Sequence, residues 1–387
     1  MGTSEFSLDQ ATGALSSMSS KHMENRETIC KLIVARLGSK AQMLQTPTGA
    51  VRLLKAVARM CHGSNSNQAT IAKAGGVPTL IMWLSGGFSD GKTGGNLEAQ
   101  AAAADALLSM VSNNDPLQAL IARSNGIQPL IELLTSGTAV TQVGVSRLLW
   151  HLSGNLESAT AVVACGGVQP LCAMLGSGEP RAQELAATVI LRLLKAPDRA
   201  VCTQVSTMVT EQGGVLALVK LLCNGSPAGQ QQATCVIAEI AQSPGSRAAI
   251  ATAGGIEALV GLLTSNVVGT AEMSARALAN LARDSPSAPA AAEAEEGGES
   301  VAPVVAEGAE PSRRRRSIST ELRIMAAEGA ARREQIAASG GIKQLIVMLS
   351  AVSLSSSIIG RKMWELVSKV IGATPAPESG EAKGGGA

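Results

Sequence analysis

This chain of 387 residues predicts an all-α solenoid, and three observations point there. A motif of two small residues followed by an apolar run occurs six times. The returns share a base spacing. The apolar content is 45% of residues with only 1% aromatic, the short-side-chain kind that lets helices pack closely. The motif first reads Ala74-Gly75-Gly76-Val77-Pro78-Thr79-Leu80 and comes back at Asn125-Gly126, Gly166-Gly167, Gly213-Gly214, Gly254-Gly255 and Gly340-Gly341. Counted on the second glycine, at 76, 126, 167, 214, 255 and 341, the spacings are 50, 41, 47, 41 and 86. A base period near 41 with insertions accounts for every gap, and such a period marks stacked helical units with one shared core.

Each unit reads as three helices. A short first helix, such as Asn67 to Ala74, stops at the Gly-Gly, where a left-handed residue ends one helix and starts the next at a sharp angle. A proline or small residue then opens a second helix. The third is longer and is expected at Leu97–Val111, Gln142–Leu152, Ala182–Leu194, Gln230–Ala241 and Ala271–Ala282. Residues 1–23 read as a disordered tail. Glu27–Leu44 and Gly49–Cys61 form a degenerate first repeat without the Gly-Gly. Repeats one to six occupy 24–284, with a Gly-rich insertion at 86–95 and a short one from Ala196 to Gln204. Residues 285–320, rich in Pro, Ala, Gly, Ser and Glu, cannot bury a core and are expected to be disordered. A last repeat with a C-terminal cap follows at 321–372, and 373–387 is a loose tail.

The six copies resemble the armadillo repeat, and the resemblance spans roughly residues 26 to 372 in register. It implies a right-handed superhelical solenoid of about seven repeats whose third helices line a concave groove. It also implies a non-enzymatic protein-binding scaffold or adaptor without cofactors.

Composition narrows the partners. A net charge of +2 gives no global attraction to nucleic acid or membrane. With no tyrosine, two phenylalanines and three tryptophans, the stacking platforms of single-strand nucleic-acid binders are missing. No apolar run reaches the length of a membrane span, and the N-terminal residues lack the apolar core of a signal peptide. Seven cysteines at no metal-ligand spacing are expected to be buried small hydrophobes in a reducing compartment, which suits the cytoplasm, with the nucleus as a second setting. Nothing indicates a homo-oligomer.

Catalytic constellations are weak. Gly86 to Thr93 matches G-x-x-x-x-G-K-[ST] letter for letter, yet the preceding Thr79 to Leu84 aligns with the second helix of every other repeat, so no strand supports a phosphate loop. Nucleotide binding at 86–93 is therefore the lesser alternative. His22, His62 and His151 are too few and too scattered for a catalytic or metal cluster.

The third helices carry the functional signal. Family members often place Trp, and four residues later Asn, on the groove face, and receptors of the importin-α type use that ladder to grip basic localisation signals. The corresponding pairs here are Lys55 with Arg59, Asp105 with Ser109, Arg147 with His151, Thr188 with Arg192, Cys235 with Glu239, Arg276 with Asn280, and Arg361 with Glu365. Only Asn280 keeps the family residue, while Trp150 and Trp364 are displaced three positions toward the expected buried side. A nuclear transport adaptor is thus the alternative. The basic stripe instead resembles the catenin-like branch, which implies an extended acidic partner segment, its backbone held by groups such as Asn280. Finally, Arg313 to Arg316 precede Ser317 and Ser319. The spacing from Arg314, Arg315 and Arg316 suits basophilic kinases, so 285–320 is expected to be a regulatory loop whose Glu-rich half competes for the groove.

Overall fold

The computed structural model describes residues 23–38, 47–86, 97–112, 114–177, 179–265, 267, 269–283 and 329–345, and the segments expected at 1–22, 285–320 and 346–387 lie outside these. The chain divides between Val236 and Ile237 into two compact units. All regular structure among the described residues is helical.

In the first unit, α1 (Met23–Leu37) and α2 (Pro47–Cys61) form the two-helix first repeat. Three-helix repeats follow: α3 (Asn65–Lys73), α4 (Gly76–Leu84) and α5 (Leu97–Val111); α6 (Asp115–Arg123), α7 (Ile127–Ser136) and α8 (Ala139–Leu152); α9 (Leu156–Ala164), α10 (Val168–Leu175) and α11 (Pro180–Leu194). The fifth repeat is α12 (Arg199–Glu211), α13 (Gly214–Asn224) and α14 (Pro227–Ile240), whose last residues belong to the second unit. That unit continues with α15 (Pro244–Thr252), α16 (Gly255–Leu262) and α17 (Thr270–Ala282), then helical turns at 329–338 and 341–345. The expected third helices agree within a few residues. The insertion expected from Ala196 to Gln204 is different: it is mostly helical, because Asp198 caps α12 by accepting the Ala200 N–H at 2.8 Å. The extra residues lengthen α12 to 13, against 9 for α3, α6 and α9.

The two glycines of the motif do different work. Gly166 is left-handed at φ 77°, as the sequence predicts, and Asn125 takes that role at φ 56° in the repeat that lacks the first glycine. Gly167 is in ordinary helical conformation at φ −65°. It is small because a Cβ there would lie 2.9 Å from both Val162 Cγ1 and the Val162 carbonyl oxygen. The same collision recurs five residues back in other repeats, at Gly76 with Ile71 and at Gly126 with Ile121.

Like helices stack on like. In the first unit α2 packs on α5, α5 on α8 and α8 on α11, while α4, α7, α10 and α13 form a second row. Alanines 99, 102, 103, 104 and 106 of α5 are all buried, so both neighbours approach this helix closely. The third helices end in carbonyls with no intrahelical partner, and buried polar side chains of the next first helix satisfy them. Asn67 Nδ2 donates to the Met60 carbonyl at 2.7 Å and Gln68 Nε2 to that of Cys61 at 3.1 Å, while Gln68 Nε2 also reaches the Ser109 carbonyl on the third helix of its own repeat at 3.0 Å. Gln118 Nε2 reaches the Val111 carbonyl at 3.3 Å. In the second unit an arginine performs this task. Arg247, 3% exposed, donates to the carbonyls of Ala241 (2.9 Å), Gln242 (3.0 Å) and Arg283 (3.1 Å).

Candidate functional site

The candidate site in the first unit is the outward edge of the stacked third helices. A stripe four residues apart on each helix leaves one pair per repeat facing away from the core. Lys55, Arg59, Asp105 and Arg147 are exposed, and Ser109, His151, Thr188 and Arg192 are half-buried. The predicted positions thus come to the surface together, helix beside helix.

Their charges are not equivalent. Lys55 Nζ lies 3.3 Å from Glu98 Oε1, an exposed pair of small energetic value. Although Asp105 is at the surface, the surrounding protein desolvates its carboxyl enough to push its pKa up, against the opposing pull of Arg147 and Lys55. His151 is held toward its neutral form by burial first, then by Arg192 and Arg147. Arg147, Arg192 and Lys195 form no ion pair with any described residue.

The sequence places Trp150 toward the buried side of the stripe. It is half-buried rather than internal, and the Arg192 guanidinium carbon sits 4.5 Å from the centroid of its ring. His151 meets the same ring edge-on at 4.9 Å and 83°. Trp150, Thr188, Arg192, Lys195 and Pro197 line a surface pocket of about 350 Å³. A tryptophan four residues before Gly154 in a chain with three tryptophans was the available signal, but only the packing of α8 against α11 sets Arg192 on its face.

The second unit treats the same register differently. Arg276 Nη2 is paired with Glu239 Oε1. Asn280 is 5% exposed and donates to the Ala238 carbonyl at 2.8 Å, so its amide nitrogen supports α14 instead of facing outward to a partner's backbone. Arg361, and the kinase-type cluster Arg314, Arg315, Arg316, Ser317 and Ser319, lie outside the described residues. So does most of the 86–93 segment. Only Gly86 is described, and the helix α4 ends just before it.

All seven cysteines are unbridged. Cys30, Cys61 and Cys172 are buried as expected, and burial pushes the thiols of Cys61 and Cys172 up to about 12 and about 11. Cys223 is exposed, contrary to the expectation for the set. Among the described residues no three His, Cys, Asp or Glu side chains converge as metal ligands, and no single helix is long and apolar enough to cross a membrane.

Comparison with known proteins agrees with the repeat architecture. A family model described as the armadillo/beta-catenin-like repeat matches residues 243–283. The crystal structure of one engineered protein is 29% identical, with 65% of this chain and 96% of that chain covered at a TM-score of 0.56. Another engineered protein is 25% identical, with 96% and 87% covered and a TM-score of 0.62. A designed armadillo repeat protein in complex with the peptide (KR)4 shares the fold at 19% identity, 65% and 98% coverage and a TM-score of 0.55. No curated protein matches. The register of the glycine pairs, the stacked three-helix units and these likenesses together show the armadillo-repeat fold, with residues 243–283 matching the repeat's family model.

Proposed function

We propose that this protein is a non-enzymatic scaffold that binds an extended acidic segment of a partner protein along the third-helix face of its first unit. The observation that carries the reading is the set of unpaired cations Arg147, Arg192 and Lys195 on and beside that face, where Asp105 is the one acid among the eight stripe positions. Parallel helices repeat this register, so an extended chain meets the charges in sequence. A transport receptor for basic signals would need acidic groups in these places. A nucleotide site at 86–93 lacks its supporting strand, since α4 is helical.

The test is fluorescence anisotropy with a labelled glutamate-rich peptide, and (KR)4 as the opposite-charge control. The wild type is expected to prefer the acidic peptide, with affinity falling as salt rises. Arg147→Glu with Arg192→Glu should weaken it by about tenfold or more while the melting curve stays put. Equal affinity in the double variant, or a preference for (KR)4, overturns the proposal.

A further inference from the structure

We propose that Arg192, seated on Trp150, acts with Lys195 as an anchor for one oxyanion-bearing side chain, phosphoserine or glutamate, at a single register of the bound segment. This rests on the acidic-segment reading above and sharpens it from a diffuse stripe to a defined pocket.

The geometry selects a charged acceptor. The Arg192 guanidinium lies 4.5 Å over the Trp150 ring, an arrangement that holds the planar group in place while leaving its N–H edge for an acceptor. Its Nε–H is buried with no hydrogen-bond partner, and no carboxylate of the described residues pairs with the group. Neutral hydroxyl and backbone donors around the pocket are already engaged. Thr188 Oγ1 donates to the Glu184 carbonyl at 2.7 Å, and Ser153 Oγ to that of Leu149 at 2.7 Å. The backbone N–H groups of Gly154, Lys195 and Ala196 bond to His151, Leu191 and Leu193. The donors left to a ligand are the two cations and the Trp150 indole N–H, which engages no described residue. A planar fork matches two oxygens of a carboxylate or phosphoryl group. Because Arg192 already covers one face of the Trp150 ring, a ligand lysine or arginine approaching that side meets two like charges.

Gly154 makes the seat possible. A Cβ at this position would stand 2.4 Å from Arg192 Nη2, the far end of a flexible side chain. Gly154 is not among the glycines with positive φ, so alanine suits the backbone and would displace the guanidinium without removing its charge.

The experiment moves one residue, phosphoserine, glutamate, serine or lysine, along an otherwise fixed acidic peptide and measures affinity for the wild type, Gly154→Ala and Arg192→Lys. The wild type should show one register at which either anion beats serine by about tenfold, with lysine weaker still. The ranking of phosphoserine against glutamate identifies the oxyanion the pocket serves. Both variants keep the net charge, so both should still bind the acidic peptide but lose most of that single-register preference, with little change in melting temperature. An affinity that follows total peptide charge alone, equally in all three proteins, overturns the anchor and leaves the groove reading standing. Failure of every acidic peptide to bind the wild type overturns both.

Discussion

The two units place like residues at like positions and use them in opposite ways. On the third helices of the first unit, Arg147 and Arg192 stand without ionic partners. On those of the second, Arg276 is paired with Glu239 and Asn280 is buried against the Ala238 carbonyl. The difference teaches that a repeat position is not a function. A polar residue at the stripe is available to a ligand only if the neighbouring helix offers it neither a counter-charge nor a hydrogen-bond acceptor. Thr188 and Arg192 sit across from Trp150 and Gly154, which supply a surface and a gap, whereas Arg276 sits across from a carboxylate.

The largest break in this comparison is expected at the junctions that orient the helices of both units. Gly76→Val would drive a side chain into Ile71, whose Cγ2 is 2.4 Å and carbonyl oxygen 2.7 Å from the ideal Cβ position. Overpacking against backbone should cost about 3 kcal/mol or more and lower the thermal midpoint clearly. Gly167→Val should behave alike for the same steric reason. Wild-type melting in both would mean that the junctions yield to an added side chain.

Next in size is the clamp specific to the second unit. Arg247→Met removes donors from the carbonyls of Ala241, Gln242 and Arg283, the last of which keeps Arg332 Nη2 at 3.4 Å, for a loss of about 1 to 3 kcal/mol in chemical denaturation. A loss below about 0.5 kcal/mol would show that water replaces the guanidinium.

The comparison itself is sharpened by pairing Arg192→Ala with Arg276→Ala. Arg192→Ala should weaken an acidic peptide by about tenfold with stability nearly intact. Arg276→Ala should leave that affinity unchanged and cost less than about 1 kcal/mol, since the arginine of the Glu239 pair is 43% exposed. Equal binding losses in the two variants would erase the distinction between units.

The smallest effect concerns Asp105. Its carboxyl titrates above the ordinary range, so the folded protein holds that proton more tightly than the unfolded chain does. The cost of ionising it in place is present at neutral pH and is relieved as pH falls through the raised value. Asp105→Asn should therefore melt slightly higher than wild type at pH 7, with the gap closing in acid. It should also tighten the acidic peptide about twofold at low salt by removing the negative charge that faces Arg147 and Lys55. A wild-type advantage at pH 7 would reverse the sign of this account.

Much of the architecture was legible because solenoids repeat their local rules. A glycine pair, an apolar run and a third apolar-faced segment specify the same hairpin each time, so period alone located α5, α8, α11 and α17 within a few residues. The stripe was legible too, since positions four apart on one helix face together whatever they contact. What the amino-acid order by itself determined was therefore the all-α repeat, its register and the list of outward candidates. Tertiary structure decided the rest: that Gly167 is small for want of space beside Val162 and not for its dihedral, that Asn280 turns inward, that Arg247 closes helix ends, and that Trp150 supports Arg192. Each of these depends on an atom some 36 to 42 residues away or on a side chain five residues back across a sharp turn. Local propensity is set by neighbours in the chain, while the fate of a charge or an amide is set by whichever group packing brings within about 3 Å of it.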